Sequence, residues 1–124
     1  MSMEKIKAYE GVSKSTMTPR EAEAMAFTKS ALLMEEAASI SDNKTALSQA
    51  LRFNHLLWTI VQADITEEAN TLPPEIKANL LSLSIFVDKQ TIKALKSGDP
   101  QDVQTLIAIN RNIASGLRTE PQAA

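Results

Sequence analysis

The sequence predicts an all-α chain, a compact four-helix domain with short turns and an N-terminal arm. Three observations carry that expectation. Apolar residues recur at alternating three- and four-residue intervals, the period of one helix face and not of a strand. Between these stretches stand Pro, Gly, Asp and Asn where helices start and stop, with no glycine-rich loop, strand alternation or Asn-Gly hairpin. Each of three stripes also encloses one polar residue: Asn54 among Leu47, Leu51, Trp58, Val61 and Ile65; Asp88 among Leu81, Ile85, Ile92 and Leu95; Asn110 among Val103, Leu106, Ile113 and Leu117. A buried amide or carboxylate costs free energy unless hydrogen-bonded, so these positions require partners inside the fold or in a ligand.

Residues 1–17 scatter Met3, Ile6, Tyr9 and Val12 among Ser, Lys and Thr, and read as an arm with at most a short helical turn. The domain, 18–117, opens on Thr18-Pro19-Arg20-Glu21, the pattern of a reciprocal capping box with proline at the first helical position. The first helix then carries Ala24, Phe27, Ala31, Met34 and Ala38 on one face, widened by Leu33 and Ala37, and ends in the polar run from Ser39 to Asn43. Asp42 or Asn43 caps a second helix running to about Ile65, whose apolar face is widened by Leu56, Leu57 and Ile60, with Arg52, His55, Thr59 and Gln62 opposite. Leu72-Pro73-Pro74-Glu75 feeds the third helix, which runs to Lys96 and is expected to be buried on much of its circumference through the Ile76, Leu80, Leu83, Val87 stripe, the Asp88 stripe and Phe86. Gly98 supplies a left-handed stop, Asp99-Pro100 restarts a fourth helix, and Gly116 is expected to end it before a polar tail at 118–124. Short connections favour antiparallel neighbours.

The chain of 124 residues fits one domain, which at this size removes roughly two-thirds of its unfolded surface from water. With no cysteine there is no disulfide framework, thiolate nucleophile or cysteine-based metal site, in keeping with a cytoplasmic location. A formal charge of −2 disfavours a protein that coats nucleic acid. No segment is apolar over the length a bilayer requires, and the first ten residues lack an apolar signal core, so no membrane insertion is expected.

Catalytic chemistry has no visible machinery. His55, the single histidine, keeps company with Arg52, Thr59 and Gln62 on a solvated face. Glu35-Glu36 and Glu67-Glu68 are adjacent in sequence and splay apart on a helix, no Glu-x-x-His pair is present, and Ser82 and Ser84 have no local base. No cofactor or metal is expected. Lys89, Lys93 and Lys96 share a face, but lysines near a helix C-terminus complement its dipole, and aromatic platforms for single-stranded bases are few. Asn54, Asp88 and Asn110 read first as devices that set how helices meet, and Trp58 as core.

At these same residues the chain resembles the FlaF family of flagellar biosynthesis proteins from alphaproteobacteria. The likeness runs through Ala8-Tyr9, Thr18-Pro19-Arg20-Glu21 with Glu23, Asn54 with Leu57-Trp58 and Asp64, Asn70 with Leu72-Pro73, the block Leu80 to Thr91, and Ile109 to Leu117. Gln90 stands where the family more often has histidine. The resemblance implies a cytoplasmic, non-catalytic regulator acting at the flagellin stage of filament assembly, by binding unassembled flagellin as a secretion chaperone or accessory. The alternative it leaves is post-transcriptional control of flagellin synthesis through an FlbT-like regulator or the flagellin mRNA, with direct RNA contact disfavoured by the acidic charge. Candidate partner-binding residues are Tyr9, Asn54, Trp58, Asp88, Asn110 and Arg111, with Asn110 and Arg111 the preferred pair.

Overall fold

The computed structural model describes residues 17–119, apart from 41 and 43; the arm, including Tyr9, and most of the tail lie outside them. Four helices follow one another: α1 (Pro19–Ser39), α2 (Lys44–Thr66), α3 (Pro74–Ser97) and α4 (Pro100–Thr119). Each is about 30–36 Å long at 1.5 Å per residue.

The local signals act as the sequence predicts at most boundaries. Thr18 accepts from the Glu21 amide at 3.1 Å and the Glu21 carboxylate accepts from the Thr18 amide at 3.3 Å, so two of the four orphan donors of α1 are satisfied reciprocally. Gly98 stops α3 at φ 63°, a left-handed conformation in which a side chain would be strained, and its amide closes on the Ala94 carbonyl. Asp42 turns the chain between α1 and α2 at φ 59°, while Asn43, the other candidate cap, lies outside the described residues. Gly116 does not end α4, which continues through Thr119. A helical glycine costs about 1 kcal/mol against alanine but does not by itself force a stop, and Ile113 and Leu117 on either side of it pack on the core.

Each helix packs against its neighbours in a ring: α1 on α2, α2 on α3, α3 on α4, and, most extensively, α4 on α1. Consecutive helices are antiparallel, so one end of the bundle gathers the α1 start, the α2–α3 connection and the α4 end. The core is built from Phe27, Ala31 and Met34 of α1, Leu51 and Trp58 of α2, Val87 of α3, and Val103, Leu106 and Ile107 of α4. Phe27 meets the Trp58 ring edge-on at 5.5 Å, a favoured aromatic geometry. The α1–α4 seam is tied outside by Arg111 to Glu35 and by Arg118 Nη2 to Thr28 Oγ1 at 3.0 Å.

The largest departure from expectation is α3. Its buried residues are Ser84, Val87, Thr91 and Ala94, whereas Leu81, Ile85, Phe86, Ile92, Leu95 and Ile76 are all exposed. The Asp88 stripe is therefore an outer row rather than a second core face. The inner position goes to a face of mostly small residues, and its two hydroxyls are compatible with burial because they are satisfied within the helix, Ser84 by the Leu81 carbonyl and Thr91 by the Val87 carbonyl, both at 2.7 Å. Leu56 and Ile60 of α2 are likewise exposed, because the surface between α1 and α3 is taken by Leu51, Asn54 and Trp58.

Candidate functional site

Two of the three polar interruptions meet in the core. Asn110 Nδ2 of α4 donates to Asn54 Oδ1 of α2 at 2.7 Å, Ser30 Oγ of α1 donates to the same oxygen at 2.9 Å, and Trp58 Nε1 donates to Asn110 Oδ1 at 3.0 Å. Ser30, Asn54, Trp58 and Asn110 are all fully buried. The indole is a donor only, and this polarises the whole chain of bonds. Asn110 must turn its oxygen to Trp58, so its amino group faces Asn54, whose oxygen must then face Asn110. One donor is left over, Asn54 Nδ2, which has no hydrogen-bond partner. The cluster spans three helices, including the α2–α4 diagonal that no backbone contact bridges.

Asp88 has a different fate. It stays half-buried at the α2–α3 seam, where Oδ2 accepts from Gln62 Nε2 at 3.1 Å and Oδ1 lies 3.6 Å from His55 Nε2. The exposed His55 thus forms part of a polar group at the seam as well as of a solvated face. Because Asp88 reaches α2, the residues above and below it in the same row, Leu81, Ile85, Ile92 and Leu95, flank that seam, with exposures of 39–54%. The row runs for about 21 Å, four helical turns.

The five candidate residues that are described are therefore not one site; Tyr9 lies outside the described residues. Asn54, Trp58 and Asn110 are internal, Asp88 lies on the α2–α3 seam, and Arg111 lies on the opposite α1–α4 seam, paired with Glu35. Asn110 is not free for a partner, since both ends of its amide are occupied inside the core, whereas the neighbouring Arg111 is exposed and pairs with Glu35. Sequence reasoning missed Ser30, although its spacing of three from Phe27 and four from Met34 puts it in the core stripe. It also missed Gln62, the seam partner of Asp88. Gln90, at the position more often histidine in the resembling family, donates to the Asp102 carbonyl at 2.9 Å and helps join α3 to α4, where Lys93 also lies 3.5 Å from the Asp102 carboxylate.

At the end of the bundle where α1 begins, partial burial of the Glu23 carboxyl and the nearby Asp64 carboxylate push its pKa above the usual 4.5, against the pull of Arg20. Among the described residues no group of His, Asp and Glu is placed to hold a metal, and no helix is long and apolar enough to cross a membrane.

Fold and site together define a helical bundle held by a buried amide cluster and bearing an uncovered apolar row. The chain belongs to the FlaF family: the model of flagellar protein FlaF matches residues 5–117, which takes in the whole bundle and most of the arm. No curated protein and no solved structure matches it.

Proposed function

We propose that this FlaF-family chain binds unassembled flagellin in the cytoplasm as a secretion chaperone or accessory, and that it acts by binding and not by catalysis. The observation that supports this is the Leu81, Ile85, Ile92, Leu95 row beside the α2–α3 seam. Its three- and four-residue spacing matches an amphipathic partner helix of about four turns laid into a groove. Flagellin terminal helices, which have to stay unpaired until export, are partners of that kind. Asp88, with Gln62 and His55, sits within the row and offers a polar contact that fixes register. The alternative through flagellin mRNA has less support, since Lys93, in the middle of the lysine face, is already offset by Asp102. An FlbT-like regulator would act as an additional protein partner.

The test is a binding titration with full-length flagellin and with truncations of each terminus, at low and high salt. Replacing Ile85 and Ile92 by Ser is expected to weaken binding at least about tenfold, as loss of central apolar contacts does, and binding is expected to survive high salt. Failure to bind any form of flagellin overturns the proposal; direct binding of the flagellin mRNA that weakens steeply with salt and depends on Lys93 would favour the RNA reading.

A further inference from the structure

The apolar row needs an occupant when no outside partner is present, because four large side chains in a line along one seam are a sizeable exposed patch. The chain itself carries a segment suited to it. The residues before Met17 place Ile6, Tyr9 and Val12 at every third position, interleaved with Lys5, Lys7 and Lys14 against Glu4 and Glu10. The segment is tethered at the start of α1, the end of the bundle from which α3 also starts. That end is acidic. Between positions 60 and 80 the chain carries Asp64, Glu67, Glu68 and Glu75 against Lys77, and Glu23 of α1 adds another carboxyl close to Asp64.

We propose that residues 1–16 dock on the near half of the α3 row, with Ile6, Tyr9 and Val12 over Leu81 and Ile85 and the lysines over the carboxylates of the α2–α3 connection. Reach is sufficient: nine residue steps lead from position 8 to Met17, about 30 Å when extended, while Leu81 stands about 10 Å into the bundle from the start of α3. The docking does not depend on flagellin being the outside partner. Where the flagellin reading holds, the arm has to leave before a partner helix seats, so the two compete for one face. The match of the family model from residue 5 onward treats most of the arm as part of the same unit as the bundle.

The chain has no cysteine, so introduced thiols report proximity without interference. In the full chain, Ala8→Cys combined with Ala78→Cys, an exposed position flanking the row, is compared with Ala8→Cys combined with Asn112→Cys, exposed on α4 toward the same end. Under oxidised glutathione the first pair is expected to close within one chain at least tenfold faster than the second. Adding Lys5→Glu, Lys7→Glu and Lys14→Glu to the first pair is expected to slow closure severalfold. Equal rates for the two pairs overturn the proposal, as do bonds formed mainly between chains, which would assign the row to a second copy. None of these readouts involves flagellin, so a failed flagellin titration leaves their outcome intact.

Discussion

The centre of the bundle and the α2–α3 seam contain the same sequence device with opposite results. Asn54 and Asn110 interrupt apolar stripes and become the sealed joint of three helices; Asp88 interrupts an equally regular stripe and remains at a half-open seam with His55 and Gln62. What separates them is the competition for the inner face. On α2 and α4 the stripe holding the asparagine turns inward, whereas on α3 the face of Ser84, Val87, Thr91 and Ala94 takes the core and leaves the Asp88 stripe outside. A polar residue in an apolar stripe therefore marks a helix joint only when its own stripe is the one that turns inward.

Breaking the inner joint should have the largest effect. Asn54→Ala removes the acceptor of two buried donors and leaves a small cavity, so a loss of about 3 kcal/mol is expected in urea unfolding, read as a lower midpoint at unchanged slope. Trp58→Phe leaves Asn110 Oδ1 without its donor and should cost about 2 kcal/mol. Leucine at both positions 54 and 110 should cost less than the sum of the single changes, by on the order of 1–2 kcal/mol, because no half of the amide pair is then left stranded.

On the seam the effects should be smaller. Asp88→Asn should change stability by less than about 1 kcal/mol, the range for partly exposed ionic contacts. An Asp88→Asn loss as large as that of Asn54→Ala would show that the seam is a structural joint after all. Glu23 sharpens the picture at the bundle end. Its raised pKa means that the folded chain holds the proton more tightly than the unfolded one, so this group favours folding at low pH and the contribution disappears as pH rises through the folded value. Glu23→Gln should therefore raise the midpoint slightly at neutral pH and leave it unchanged well below pH 4.5.

Much of this architecture was legible in the sequence because it is written in local chemistry. Thr18-Pro19-Arg20-Glu21 encodes its own cap, Gly98 its own stop, and the asparagine in the α2 stripe announces a partner in another helix. The inner face of α3 was not legible. Ser84 and Thr91 look like a solvated side in any count of apolar residues, and only their bonds to carbonyls of their own helix make them compatible with burial. Gly116 misled for the opposite reason: nothing lies within 4 Å of where its side chain would be, and its place in α4 is set by the packing of its neighbours. The blocks that carry the family resemblance encode the internal joint as much as any surface.

The central claim is a division of labour, with the inner amides holding the bundle and the outer α3 row holding the partner. The most direct measurement is flagellin affinity and urea midpoint determined side by side for Ile85→Ser. The expected result is a loss of affinity of at least about tenfold at a midpoint indistinguishable from that of the unchanged chain. Unchanged flagellin affinity in a protein that remains folded would contradict it.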